Sequence, residues 1–233
     1  MDLVKRIEKM AKQQGATHFG MASLLEAHTF ILEQGGPIVA EFPNSISLGI
    51  ALPNSIVDQL PRRTDRAVAL SYKHHAYGII NQRLDFIASL ISIFIQERGY
   101  KVLPIPASAT VDDERICGSF SHKLGAHLAG LGWIGKNCLL ITPKNGPRVR
   151  WATILTDAPL NTDNKGVEEQ CNNCEECIDI CPVKAFTGKP FRENEPRNAR
   201  FNAKRCDEYG KAMERSGKPR VCGMCLYVCP YGR

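Results

Sequence analysis

Leu3, Ile7, Met10 and Ala11 recur at helical spacing, so residues 2–14 read as an amphipathic helix ending near Gly15. Residues 45–52 read as a buried strand stopped by Pro53. Residues 75–98 carry Ile79, Leu84, Ile87, Leu90, Ile91 and Phe94 on one wide apolar face, with Gly99 after them, which predicts a long helix. Residues 100–105 read as a strand stopped by Pro106, and residues 121–129 as a short helix capped by Ser119 or Ser121. Residues 138–142 and 152–155 read as strands. Mixed helix and strand signals of this kind predict an α+β chain.

The longest nearly apolar stretch, residues 86–95, is too short to span a bilayer. Residues 1–6 lack the continuous apolar run of a signal peptide. The expectation is a cytoplasmic protein with no membrane partner. The chain has 233 residues, enough for one large domain with a small appendage. A hydrophobic fraction of 43% and a charged fraction of 23% argue against disorder, collagen and coiled coil. The polar run at residues 161–166 marks the expected boundary between an N-terminal domain, 1–165, and a C-terminal one, 166–233.

The ten cysteines change this picture more than the average composition does. Cys117 and Cys138 stand alone and read as free buried thiols. The other eight lie between Cys171 and Cys229. Cys171, Cys174, Cys177 and Cys181-Pro182 follow the x2, x2, x3 spacing of bacterial ferredoxins. In that run the fourth thiolate serves the other cluster. Cys222, Cys225 and Cys229-Pro230 repeat the motif without its first cysteine, whose place Pro219 takes. Cys206 is the unassigned cysteine of this region and completes the set. One cluster then takes Cys171, Cys174, Cys177 and Cys229; the other takes Cys181, Cys206, Cys222 and Cys225. Two structural zinc sites, or disulfides, are the alternatives, and the spacing with its two Cys-Pro ends favours two [4Fe-4S] clusters. The formal charge of +6 counts every cysteine as neutral. A four-iron cluster with four thiolates carries about −2 when oxidised, so the excess is not read as a nucleic-acid signal.

Gly130-Leu131-Gly132-Trp133-Ile134-Gly135 matches the dinucleotide pattern in letters. That fingerprint needs a strand before it and a helix after it. Here a helix precedes and a strand follows, so the pattern predicts a tight turn. Such a turn lets backbone approach a flat ligand, and Lys136 is placed to meet an anionic group. A plain structural turn is the equal alternative. Asp112 follows a Pro-rich segment and is a possible proton donor, or part of a solvated acidic turn. Arg192, Arg197, Arg200, Lys204 and Arg205 form a basic run interrupted by Glu193 and Glu195.

Residues 129–137, followed by Leu139, Leu140 and Ile141, resemble the signature of epoxyqueuosine reductases, and the eight-cysteine arrangement is similar to that family's two-cluster domain. Reductive dehalogenases are more distant relatives of the same architecture. The resemblance implies a nitroreductase-like N-terminal domain holding cobalamin, fed with electrons by a ferredoxin-like domain. It implies that Gly130, Leu131, Gly132, Trp133, Gly135 and Lys136 lie near the corrin, and that Asp112, after Val111, donates a proton. A ferredoxin or flavodoxin is the implied electron donor, and a small molecule or modified nucleoside the implied substrate. A stand-alone electron-transfer protein that reduces a partner, such as a corrinoid protein, is the alternative. The family continues past the second Cys-Pro motif with a helical-repeat extension, whereas Pro230 here is followed by three residues. Transfer RNA is therefore the disfavoured substrate.

Overall fold

The computed structural model describes residues 3–160, 166–193 and 195–232. The expected domain boundary at 161–166 falls almost wholly outside the described residues. The chain runs α1 (Leu3–Gln13), β1 (His18–Ser23), α2 (His28–Gly35), α3 (Pro37–Ala40), β2 (Asn44–Ala51), α4 (Asn54–Val57), α5 (Arg66–Tyr72) and α6 (Ile80–Gln96). It continues with β3 (Val102–Ile105), α7 (His122–Leu128), β4 (Trp133–Ile134), β5 (Leu140–Ile141) and β6 (Val149–Thr156). The C-terminal part adds α8 (Glu176–Asp179), α9 (Ala203–Arg215) and α10 (Met224–Tyr227). The class is α+β.

An antiparallel sheet in the order β1-β2-β6-β3 divides the N-terminal part into two layers. Along β2 the period of two sends Ile46, Leu48 and Ile50 to the face covered by α1 and α6. Ser45, Ser47 and Gly49 occupy the alternate positions, and these small residues let α7 lie close. A methyl group on Gly125 of α7 would already sit 3.3 Å from the Ser47 hydroxyl. His122 at the start of α7 ties the layer down. Its Nδ1 lies 2.8 Å from Thr153 Oγ1 and its Nε2 lies 3.0 Å from the Pro106 carbonyl.

The long helix differs from the sequence expectation at its start. It runs Arg66–Gln96 without a break, through a π-helical stretch at Lys73–Ile79. Asp65 starts it by accepting a hydrogen bond from the Ala67 amide at 2.9 Å. The run is long and apolar enough to cross a membrane by length and composition alone. Its inner face, Leu84, Ile87, Ile91 and Ile95, packs on the sheet instead. The expected strand at 138–142 shrinks to β5, because Cys138 holds a left-handed backbone (φ 55°) that ends the pairing. Ser121 stands at the start of α7 but makes no side-chain cap bond. Both β1 and α9 escaped the sequence reading. Val221, Met224 and Leu226 from the cysteine-rich segment join the same core cluster as Ile7 and Ile91. The two parts of the chain therefore share apolar packing.

Burial lowers the pKa of His122 to about 4. Its ordinary value is near 6.5, so below that pH the unfolded chain takes up a proton that the folded chain refuses. Stability is expected to fall by on the order of 1–3 kcal/mol as pH drops from 6.5 toward 4. Denaturant melts of the wild type and of His122→Gln across this window check it: the difference between them shrinks as pH falls. A constant difference would mean that His122 titrates normally.

Candidate functional site: two thiol sets and the turn that clasps them

The eight clustered cysteines are free of disulfides. Cys171, Cys174, Cys177 and Cys229 line one small cavity, partly open to solvent, together with Lys136, Asn137 and Tyr231. Burial, and then the neighbouring thiols of Cys171, Cys174 and Cys229, push Cys177 up to about 12. Cys206 rises to about 11 through burial and then through Cys222 and Cys181. Cys225 is raised by burial and by Cys222, Cys206, Cys177 and Cys181. Cys181, Cys206, Cys222 and Cys225 thus lie in one another's fields, with Cys177 near Cys225. The first four thiols surround a cavity instead of converging on one point. Among the described residues no group of three or more His, Cys, Asp or Glu is arranged around a single metal ion. This suits a cubane better than a lone zinc, whose sulfurs stand about 2.3 Å from the metal.

Backbone geometry explains how so short a segment curls around each set. Asn172 and Lys184 have positive φ angles of 42° and 46°, just after Cys171 and Cys181. Left-handed residues at these points turn successive amides inward. The Ala185 amide donates to Cys181 Sγ at 3.3 Å, and the Cys174 amide closes a turn on the Cys171 carbonyl at 2.7 Å. In the second set Gly223 (φ 65°) carries the turn, with Leu60 packed against it. Cys206 rides on α9, which Asn202 caps by accepting from the Arg205 amide at 3.0 Å.

The glycine-rich turn lies against these loops, and each of its glycines has a local reason. Gly130 (φ 69°) ends α7, with its own amide bonded to the His127 carbonyl and the Leu131 amide to the Ala126 carbonyl. A methyl group on Gly132 would stand 2.1 Å from the Ile141 carbonyl oxygen, and one on Gly135 2.3 Å from the Ile141 side chain. Lys136 is buried, and its Nζ donates to the carbonyls of Asn172 at 2.6 Å and Cys174 at 3.2 Å. Its ammonium is thus engaged by the first cysteine loop, not held open for an anion. Asn137 Nδ2 donates to the Cys225 carbonyl at 3.2 Å, so one turn grips both loops. Trp133 is buried beside Cys171 and Cys229, edge-on to Tyr231 at 4.8 Å.

Asp112 sits elsewhere, on a partly exposed loop where it bridges to Cys117. Its carboxylate accepts from the Arg115 amide at 2.7 Å and from Arg115 Nε at 2.6 Å. These bonds hold it below the usual carboxylate range. Arg115 in turn donates to the carbonyls of Glu33 and Gln34. The basic run is broken up. Arg200 is buried over the Phe191 ring, and Arg197 donates to the carbonyls of Arg115 and Ile116. Arg192, Lys204 and Arg205 alone of that run stay exposed. Cys138 is buried with Arg200 Nη1 4.0 Å from its sulfur, and Cys117 is half-buried. Sequence reasoning missed Tyr72, a buried phenol in the field of Cys222 and Cys225 that burial keeps protonated. Its helical spacing carried no signal beyond core packing.

Residues 170–232 match the 4Fe-4S double cluster binding domain family. The chain is 31% identical over 199 residues to an epoxyqueuosine reductase of Pseudomonas aeruginosa, covering 76% of this chain and 50% of that protein. The Bacillus cereus epoxyqueuosine reductase is 44% identical over 125 residues, covering 48% of this chain and 30% of that one. The chain is a relative of the epoxyqueuosine reductases. It spans half or less of the length of these two curated relatives. Three solved structures share the fold at 18–19% identity. One is a reductive dehalogenase described for B12-dependent dehalogenation (TM-score 0.73, 97% of this chain and 31% of that one). Another is an epoxyqueuosine reductase with an epoxyqueuosine-modified tRNA stem loop (TM-score 0.59, 99% and 65%). The third, from Bacillus subtilis, has its catalytic aspartate loop swung out of the active site (TM-score 0.60, 100% and 66%).

In this epoxyqueuosine reductase relative, Arg115→Gln removes the side-chain bond that holds Asp112 ionised. The Asp112 carboxyl, followed by its ¹³C resonance against pH, is expected to titrate higher than in the wild type. An unmoved titration would mean that the ion pair does not form in solution. Lys136→Met leaves the carbonyls of Asn172 and Cys174 without that donor, at a cost of about 1 kcal/mol. Iron release to a ferrous chelator is expected to quicken in that variant, and an unchanged rate would show that the clasp does not hold the first loop.

Proposed function

We propose that this chain is an iron–sulfur reductase in which two [4Fe-4S] clusters pass single electrons to an acceptor at a nitroreductase-like N-terminal domain, residues 1–165. The observation that carries the reading is that Cys229 of the second motif lines one cavity with Cys171, Cys174 and Cys177 of the first. Cys181 lies in the fields of Cys206 and Cys225, which supports an exchange between the motifs. Two clusters that trade ligands in this way form a short path for single electrons. The four thiols of each set repel one another once ionised, so they need an iron core to hold them as thiolates.

The resemblance to a B12-dependent dehalogenase supports cobalamin as the acceptor. The turn residues do not fit the cradle expected of them, because Gly132 and Gly135 are filled by Ile141 and Lys136 is held by two carbonyls. No step through a corrin is derived from them. Asp112 supports a reductase that protonates its substrate once its carboxylate parts from Arg115. A swung-out catalytic aspartate loop in a relative is consistent with such movement. A modified nucleoside, free or within tRNA, is the substrate class that the relatives favour. The second reading is a stand-alone electron-transfer protein, favoured by the ion-paired state of Asp112.

Anaerobically prepared protein is expected to hold about eight irons per chain. Cys206→Ala is expected to lose one cluster and keep the other, read by iron analysis and EPR. Two intact clusters in that variant would refute the ligand sets. Titration with Co(II) cobalamin then separates the two readings. A stoichiometric base-off cobalt signal would place a corrin on this chain, whereas an unchanged signal favours a docked acceptor.

A further inference from the structure

Trp133 is 1% exposed, and its indole N–H has no hydrogen-bond partner among the described residues. A buried donor left unpaired costs roughly 1–3 kcal/mol, so its surroundings call for an explanation. The ring is fixed by β4 pairing with β5 and by its edge-on contact with Tyr231. It packs in one apolar cluster with Ile141, Cys171 and Cys229. The orphaned indole N–H therefore belongs to a side chain packed against Cys171 and Cys229, two of the four cysteines that line the first cavity. That donor belongs to the N-terminal part of the chain, whereas Cys181 in the second set receives its donor from Ala185 of its own loop.

We infer that the Trp133 indole N–H is a hydrogen-bond donor to a sulfur of the first cluster and raises that cluster's reduction potential. The inference rests on the two-cluster reading above. A hydrogen bond to a cluster sulfur stabilises the more negative, reduced state more than the oxidised one. Trp133 is therefore a positioning and tuning residue packed against two ligands, not a reacting group. In this arrangement the turn couples the two parts of the chain electronically as well as mechanically. The first cluster becomes easier to reduce for having that turn packed against it.

Trp133→Phe in the full, cluster-loaded chain keeps a ring against Tyr231 and removes the N–H. Iron analysis comes first. A wild type with fewer than two clusters would overturn the cluster reading, and the inference with it. With both clusters present, an EPR-monitored redox titration is expected to show one midpoint shifted to lower potential and the other unmoved. Two unmoved midpoints, or an equal shift of both, would overturn the inference while leaving the cluster reading intact. Should the variant lose a cluster, wild-type protein labelled with ¹⁵N at its indoles supplies the readout. The other tryptophan, Trp151, stacks on His18 away from the cysteines. A ¹⁵N hyperfine coupling to one reduced cluster is expected, and its absence would overturn the inference.

Discussion

Crowding of thiols is the constraint on which the rest of this molecule depends. Eight cysteines gather within about sixty residues, and burial and one another's fields push Cys177, Cys206, Cys225 and Cys229 up. A cationic core is what allows thiols so crowded to ionise together, which couples metal binding to loop order. Short irregular loops supply too little apolar area to hold that shape alone. The chain offsets this by lending the segment its N-terminal core, into which Val221, Met224 and Leu226 insert beside the long helix.

Polar contacts complete what apolar packing begins. Lys136 and Asn137, neighbours on one turn, reach carbonyls in the first and second cysteine loops. The turn can come so close because Gly132 and Gly135 carry no side chain where β5 passes. One local necessity, a hairpin packed tightly on itself, thus places an ammonium and an indole at the first cysteine loop and an amide at the second. The residues that look like a ligand-binding loop in one dimension are a clasp in three.

The parts of the chain suited to act on a substrate are less settled into one place. Asp112 lies in its own loop, ionised and paired with Arg115, which reaches across to α2. Arg197 donates to the carbonyls of Arg115 and Ile116 and so joins the cysteine-rich part to that same loop. Movement of Asp112 is therefore linked to the seating of residues 195–200. Burial of Arg200 and engagement of Arg197 also remove two of the five cations that the sequence offered for a phosphate surface.

The cysteine spacing alone pointed to 4Fe-4S chemistry, which the matching double-cluster family supports, because a cubane demands a fixed number of thiolates at short intervals. Periodicity located α1, β2 and the body of α6, where one face is buried and the period is clean. It missed β1, whose alternation is blurred by half-buried positions, and the start of the long helix, whose signal was a single aspartate cap. Only the tertiary structure decided what the glycine turn touches. Close approach to Ile141, the two carbonyls on Lys136 and the cysteines packed beside Trp133 are contacts between separate stretches of the chain, and no local pattern encodes them. The same holds for Asp112: its position after Val111 is written in the sequence, but its charge state is set by where Arg115 folds.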